Sequence, residues 1–361
     1  MIQEWEPLIV VVGGFLASGK TTLILAAAHE LEQRGLRCAA LFNDQGHDLV
    51  DSRYAESTGL HWGEVGGGCF CCRLSDLVDE IRRLRAFAPD VIFAEPVGSC
   101  TDLAATVLRP LRQLRWEDGI RFRLAPLTVL ADPDRVRTLL TEKAAPSMRF
   151  LFEKQVQEAD LVCFTKSDLY PDCPELSAAH IRQIGARSGQ GVTSWLDEVM
   201  SGTMTAGQRR LEIDYEQYAQ AEASLVWLNL QADFELMEPL SPAVLLGPLL
   251  DELDAGLTAT GASIAHLKAI VSGPSGFVKA AVAANGREPD VEGDLDASPA
   301  SELEMLLNLR ATGAPDAVRS LVEQQMKRFG GQIARMQLDC FRPAAPVPEQ
   351  RICADLSPTL Q

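Results

Sequence analysis

Several things are scarce in this chain, and each scarcity narrows its function. Basic charge is in deficit: 33 Lys and Arg stand against 50 Asp and Glu, a formal net charge of −17. A chain of that sign does not wrap a nucleic-acid backbone, which needs clustered Lys and Arg, although cation binding stays open. No apolar run approaches the ~20 residues that a membrane span requires. The opening residues Met1-Ile2-Gln3-Glu4-Trp5-Glu6-Pro7 are acidic and run straight into an apolar strand, so no secretory leader is expected. Histidine occurs only five times. Nine cysteines, three of them within four positions, do not make a secreted disulfide framework, and no second Cys-x-x-Cys pair completes a four-cysteine structural site. A reducing, cytoplasmic setting is the expectation. No internal repeat is visible. What remains is 361 residues, 47% of them apolar, enough for two domains or one large domain with an appendage.

Gly14-Phe15-Leu16-Ala17-Ser18-Gly19-Lys20-Thr21 is a complete G-x-x-x-x-G-K-[ST] phosphate-binding loop. It follows a buried-strand run, Leu8 to Val12, and leads into a helix start at Thr22, which is the context the motif needs. Backbone N–H groups of such a loop curl around phosphate oxygens at a helix N-terminus. Lys20 reaches the β- and γ-phosphates, and the Thr21 hydroxyl is placed to hold Mg²⁺. The alternative, a glycine-rich turn with a chance Lys-Thr, does not explain the flanks.

Thr165-Lys166-Ser167-Asp168 closes another strand-like run. An [NT]-K-x-D at that place reads guanine: the carboxylate accepts from N1–H and the 2-amino group, and the Lys stem covers the ring. Ala186 falls where backbone N–H groups close over the base. A surface Lys-Asp turn is the plainer alternative. Cys69-Phe70-Cys71-Cys72 follows Gly66-Gly67-Gly68 and precedes a helix. Three thiols offer soft ligands to Zn²⁺ or a similar ion, and strand-like alternation would aim Cys69 and Cys71 together. A structural zinc site, a redox role and simple packing are the alternatives. Packing is the expected role of the isolated Cys38, Cys100 and Cys163. Glu95 ends an apolar strand ahead of Pro96-Val97-Gly98, where a carboxylate serves Mg²⁺ or the attacking water and a glycine lets the loop move. Asn43 to Asp48 is the other switch candidate, with Asp44 for the Mg²⁺ shell and His47 as a metal ligand, although a lone loop histidine is more often solvated.

The first ~200 residues alternate strand and helix patterns. The expected fold is α/β, a P-loop NTPase with a doubly wound, mostly parallel sheet over 1–203. A connector over 204–222, a smaller α+β domain over 223–343 and a loosely held Pro-rich tail over 344–361 follow. In the second domain the expected strands are Leu225–Leu230, His266–Val271, Phe277–Ala283 and Leu303–Leu309. The expected helices there are Ser241–Leu253 and Pro315–Phe329.

With the loop, the C-x-C-C after a glycine run, the strand-ending Glu95 and the T-K-x-D in this order, the chain resembles the CobW-like P-loop GTPases. These are relatives of the hydrogenase and urease nickel-insertion GTPases. The resemblance covers 8 to about 200, with Ala221 to Asn229 resembling the family's entry to its C-terminal domain. It implies GTP hydrolysis coupled to delivery of a transition metal such as Zn²⁺ or Co²⁺, or to activation of a metalloenzyme or corrinoid-protein client. A homodimer is compatible with it. Carried over by position, Gly14, Ala17, Ser18, Gly19, Lys20, Thr21 and Thr22 bind phosphates and Mg²⁺. Cys69, Cys71 and Cys72 bind metal, Glu95 and Gly98 serve the switch, and Thr165, Lys166 and Asp168 hold the guanine. The chain departs from the pattern at His47, where the family carries an acidic residue, at Thr165 in place of Asn, and in lacking a histidine-rich tract. An ATP-dependent metabolic kinase is the remaining reading, and it lacks an acceptor-site motif.

Overall fold

The structure, a computed structural model, describes residues 5–46, 49–114, 121–141 and 144–353. The chain divides into two compact units. The first comprises Met1–Asp44, Gly59–Ala221 and Pro346–Gln361, and the second Gln45–Thr58 and Glu222–Ala345.

In the first unit β1 (Leu8–Gly14) is buried along its whole length, as a parallel strand covered on both faces must be. It is followed by α1 (Lys20–Gln33) and β2 (Cys38–Asn43). The next helix, α2 (Val50–Ser57), belongs to the second unit. The first unit resumes with β3 (His61–Val65), α3 (Leu74–Leu84) and β4 (Val91–Glu95), then a π-helical turn (Ala104–Leu108) running into α4 (Arg109–Gln113). It continues with β5 (Arg123–Leu124), β6 (Thr128–Ala131), α5 (Pro133–Leu139), α6 (Pro146–Glu158), β7 (Leu161–Phe164), β8 (Ile181–Gln183), α7 (Val192–Met200) and α8 (Tyr215–Glu222). The strand order is β3-β2-β4-β1-β6-β7-β8, with β5 also on β1. Every pairing is parallel. The order reverses around β1, so the crevice beyond its C-terminal end is where such sheets bind ligands.

The connector expected over 204–222 is anchored near its start. Asp160 accepts from the backbone N–H groups of Gly207 at 2.6 Å and Gln208 at 3.1 Å, and α8 follows. The described part of the tail, up to residue 353, makes contacts of its own. The Ile352 N–H donates to the Ala105 carbonyl at 2.9 Å, and Arg351 Nε donates to the buried Asp102 carboxylate at 2.6 Å. Paired backbone and a buried charge hold these segments where they are described.

The second unit contains β9 (Leu225–Leu240), α9 (Pro242–Ala259), β10 (Ile264–Gly273), β11 (Gly276–Val282), β12 (Asp290–Gly293), β13 (Ala300–Thr312), α10 (Pro315–Met326), a 3₁₀ turn (Lys327–Gln332) and β14 (Ile333–Phe341). Its sheet is antiparallel, in the order β12-β11-β10-β13-β9-β14. Alternation along β9 sends Leu228, Leu230, Ala232 and Phe234 into a core shared with Leu253 and Leu257 of α9 and Val322 of α10. The Ser241 hydroxyl caps α9 by accepting from the Val244 N–H, with Pro242 in the first turn.

The opposite face of this sheet takes α2. Val50 packs on Ile270 and Leu306, with Tyr54 and Phe277 beside them. No side chain of its own caps α2. Instead, Asn308 Oδ1 accepts from the Val50 N–H at 3.0 Å. Lys268 Nζ donates to both Asp51 carboxylate oxygens at 2.6 and 2.7 Å.

Candidate nucleotide and metal site

The phosphate loop owes its shape to its small residues. Gly14 has φ +135°, and a Cβ there would lie 2.6 Å from the Leu130 carbonyl and 2.8 Å from Ser18 Oγ, so only glycine fits. Ala17 (φ 64°) and Gly19 (φ 89°) are also left-handed, which curls the loop. Lys20 Nζ donates to the Gly14 carbonyl at 3.2 Å and lies 3.7 Å from Glu95 Oε1. Thr21 Oγ1 donates to Glu95 Oε2 at 2.9 Å. Thr22 continues the first turn of α1. The Ser18 hydroxyl is buried with no hydrogen-bond partner among the described residues, an acceptor-seeking donor beside the lysine. A hydroxyl and a carboxylate held together are hard oxygen donors of the kind Mg²⁺ takes, so these residues fit that ion.

The loop beyond β4 lies against this one. A Cβ on Gly98 would come 2.8 Å from Leu16 Cδ2 and 3.2 Å from Leu16 Cα. Gln155 Nε2 pins the loop from the other side, donating to the carbonyls of Gly98 at 3.0 Å and Cys100 at 2.8 Å. Glu158 accepts from Thr101 Oγ1 at 3.2 Å and from the Ala104 N–H at 3.1 Å. Burial pushes the Glu158 carboxyl up to about 8.

The guanine-motif residues gather at the ends of β7 and β8. Thr165 Oγ1 donates to the Ser18 carbonyl at 2.9 Å, so its hydroxyl braces the phosphate loop rather than pointing to a base. Lys166 is left-handed (φ 54°), and its Nζ donates to Asp132 Oδ2 at 2.6 Å. Asp132 also caps α5, accepting from the Asp134 N–H at 2.9 Å. Asp168 is exposed, and a Cβ on Gly185 would lie 3.1 Å from its Oδ1. Ala186 follows in a turn closed by Gly185 N–H to the Gln190 carbonyl at 2.8 Å.

The cysteines form a turn, not a strand, because the N–H groups of Cys72 and Arg73 both return to the Cys69 carbonyl, at 2.9 and 3.0 Å. The expected alternation is therefore corrected: all three thiols converge, with Cys69 Sγ 2.8 Å from Cys71 Sγ and 3.2 Å from Cys72 Sγ, and 3.7 Å between the last two. They are the one group of three potential ligands found among the described residues. Asn43, at the end of β2, fixes the turn. Its Nδ2 donates to the carbonyls of Val65 and Gly68, both at 2.7 Å, and its Oδ1 accepts from the Phe70 N–H at 2.8 Å. Asp44 joins the same junction through its backbone, donating to the Val65 carbonyl at 3.3 Å. His47 lies outside the described residues.

Two neighbours of the cluster were not expected. Cys100, expected to pack, is buried, and its side chain bears on the ionisation of Cys69 and Cys71. Hydrogen bonds from Cys100, and then from Cys71 and Cys72, hold Cys69 well below the ordinary thiol range. The same contacts push Cys71 up, and the bond with Cys69 pushes Cys72 up to about 11. The charge of the group settles on Cys69 because hydrogen bonds to its sulfur outweigh the cost of its burial. The tail also arrives here: the Val347 N–H donates to Cys72 Sγ at 3.3 Å and the Glu349 N–H to the Cys71 carbonyl at 2.9 Å. Nothing in the spacing of Cys100 or of the tail signals this proximity.

A parallel sheet with a phosphate loop at its switch point and polar motifs at its strand ends makes the first unit a P-loop nucleotide-binding domain. Residues 8–190 match the family described as "CobW/HypB/UreG, nucleotide-binding domain". The chain belongs to that family. It is 35% identical over 160 residues to the zinc chaperone YeiR of Escherichia coli (strain K12), a stretch covering 44% of this chain and 45% of that one. The chain thus matches just under half the length of that curated relative. Among solved structures it is similar to HypB from Helicobacter pylori in complex with nickel, at TM-score 0.40 and 13% identity, covering 56% of this chain and 92% of that one. Zn(II)-bound YjiA GTPase from E. coli overlays at TM-score 0.32 and 14% identity, covering 89% and 99%. Overlays at these scores are partial. No helix among the described residues is long and apolar enough to cross a membrane.

Proposed function

We propose that this chain is a GTP-hydrolysing metallochaperone, coupling its nucleotide state to the binding and delivery of a transition metal at Cys69, Cys71 and Cys72. The observation that carries the reading is the convergence of three thiols on a turn clamped by Asn43, at the end of the strand that leads into a switch segment. Soft sulfur ligands select Zn²⁺ or Co²⁺ over Mg²⁺ or Ca²⁺. GTP is bound by Gly14, Ala17, Ser18, Gly19, Lys20, Thr21 and Thr22 at its phosphates, and by Lys166, Asp168 and Ala186 at its base. Mg²⁺, held at Thr21 with Glu95 beside it, would neutralise charge developing on the phosphates. Glu95 and Asp44 orient the water and the metal shell, and Gly98 lets the following loop respond to the γ-phosphate. The client is a metal-dependent protein, and the similarity to a zinc chaperone favours Zn²⁺ as cargo.

Zn²⁺ titration against a chelator of known affinity, in the GDP state and with a non-hydrolysable GTP analogue, tests this. The expected result is one tight site per chain whose affinity differs between the two states by a factor typical of coupled sites, about 5–150-fold. It should be lost in Cys71→Ser/Cys72→Ser while GTP binding persists. Equal affinity in both states would overturn the chaperone reading. The near-complete burial of Cys69 and Cys71, each 1% exposed, favours a second reading in that case. The cysteines would then be structural, and the chain a GTP-driven activator of a metal- or cobalamin-dependent partner.

A further inference from the structure

We propose that residues 347–352 of the tail form a strap that closes the thiol site and ties it to the loop after Glu95, so that metal is handed on only when the strap lifts. This rests on the reading of Cys69, Cys71 and Cys72 as metal ligands and adds the control of that site.

The strap lies on the cysteine turn by its backbone. Pro346 and Pro348 carry no N–H, so two backbone donors remain between 346 and 349, and both are spent on this turn. The Val347 N–H donates to Cys72 Sγ at 3.3 Å and the Glu349 N–H to the Cys71 carbonyl at 2.9 Å. The Glu349 side chain adds a second hold. Its Oε2 accepts from the Ser75 N–H at 3.0 Å and from Ser75 Oγ at 2.6 Å. Arg73, which precedes α3, gives that helix no side-chain cap. A residue 274 positions from Ser75 supplies one instead, with the negative charge that a helix start favours. Cys72 is the half-buried thiol of the three, whereas Cys69 and Cys71 are buried. The thiol that an acceptor's ligand can reach first is therefore the one bonded to Val347.

Two residues on, the strap grips the loop after Glu95. Arg351 Nε donates to Asp102 Oδ2 at 2.6 Å. The Ile352 N–H donates to the Ala105 carbonyl at 2.9 Å, and Arg109 donates to the Ile352 carbonyl at 3.1 Å. Asp102 is fully buried and left-handed, at φ 66°, a conformation that a residue with a Cβ keeps only where its surroundings impose it. Its Oδ2 also accepts from the Tyr215 hydroxyl at 2.8 Å, while Oδ1 is buried with no hydrogen-bond partner among the described residues. Withdrawing Arg351 takes a cation from a buried carboxylate, and the cost falls on the loop that carries it. Asp102 lies seven positions past Glu95. Between them Gly98 presses on Leu16 of the phosphate loop. A shift of this loop on GTP hydrolysis is thus felt at Asp102 and, through Arg351, at the strap on Cys72.

The same contacts let the strap go. None of residues 347–352 is buried, and Val347 is 74% exposed. Hydrogen bonds and one ion pair hold the segment, not apolar burial, and such segments open without disturbing a core. The two prolines also restrict the free backbone to extended conformations, so little order is lost at each closure.

Transfer of Zn²⁺ from the full chain to an excess of chromogenic chelator, timed in the GDP state and with a non-hydrolysable GTP analogue, tests the strap. Wild-type protein should release the ion at different rates in the two states. Glu349→Ala should still take up Zn²⁺ and release it about 10-fold faster in both, the weight of one charged hydrogen bond. Arg351→Ala should bring the two rates together. Amide hydrogen exchange of the wild type needs no variant: Val347, Glu349 and Ile352 should lose protection together in the state that releases faster. Four results each overturn the strap while leaving the three-thiol site intact. They are equal wild-type rates in the two states, wild-type rates in Glu349→Ala, a difference between states that survives in Arg351→Ala, and equal protection of the three amides in both states. Wild-type protein that takes up no Zn²⁺ overturns the site itself. If Arg351→Ala does not fold, the exchange of the wild type decides.

Discussion

Asn43 is 6% exposed and spends its whole amide on the cysteine turn. Replacing it by Ala removes three hydrogen bonds. The Val65 carbonyl keeps a partner in the Asp44 N–H. The Gly68 carbonyl and the Phe70 N–H lose theirs, and both residues are buried. A buried group left unpaired costs about 1–3 kcal/mol, so with two such groups Asn43→Ala should destabilise the first unit by about 2–6 kcal/mol. Asn43→Asp is the sharper variant, because it keeps size and shape. Its carboxylate still accepts from Phe70, but its second oxygen now faces two carbonyl oxygens at the places where Nδ2 donated. It should therefore cost at least as much as Ala near neutral pH. The cost should shrink as pH falls, because the protonated acid regains one donor. Urea unfolding of both variants between pH 5 and pH 8, followed by a probe in the first unit, reads these effects. The turn also sets the thiol geometry, so Zn²⁺ affinity should drop about 10–100-fold in parallel. Asn43→Ala within about 0.5 kcal/mol of wild type, a level typical of neutral surface changes, would refute the clamp.

The remaining predictions concern other parts of the molecule. Glu158, with a folded value of about 8 above the ordinary 4.5, stays protonated in the fold over a range where the unfolded chain ionises. Stability should therefore decline as pH rises from about 4.5 to about 8 and level off above it, a slope that Glu158→Gln should flatten in a pH series of denaturant midpoints. Thr165→Val removes the brace on the Ser18 carbonyl and should weaken GTP and ATP binding by similar factors. Asp168→Asn should weaken GTP alone, as binding assays with both nucleotides would show; a guanine-selective loss in Thr165→Val would return its hydroxyl to the base. Asn308→Ala strips α2 of its borrowed cap and should lower the second unit's stability by about 1 kcal/mol, measured by denaturant unfolding.

The sequence disclosed the parallel sheet and the phosphate loop because both are local. The run from Leu8 to Val12 and the spacing from Gly14 to Thr21 need no tertiary information. Glu95 and the T-K-x-D behaved the same way, since strand ends carry their own polar signal. β3 escaped because its Trp62-Gly63-Glu64 core lacks a clean period. β14 escaped because it is an exposed edge rich in Arg335, Gln337 and Asp339. Cys100 and the tail escaped for a different reason. Their partners lie about 30 and nearly 280 residues away in the chain, and no local pattern encodes such pairings. The contact of the Thr165 hydroxyl with the Ser18 carbonyl, 147 residues earlier, was illegible for the same cause.

The division of the chain has a consequence for how the protein is made. The polypeptide passes between its two units at 44–45, 58–59, 221–222 and 345–346. During synthesis, α2 emerges long before Ile270, Leu306 and Phe277, and Cys72 long before Val347. At about 5–20 residues per second, the 125 residues from 221 to 346 take roughly 6–25 s to appear. Val50 and Tyr54 have no apolar face to cover them until Leu306 has emerged, and the cysteine turn stays open on the side that the tail later occupies until Val347 has. The nascent chain therefore exposes its thiols to oxidants and stray metal before either unit is complete. A fragment stopped at residue 221 would remain in that state permanently, so neither unit can be isolated by a single cut.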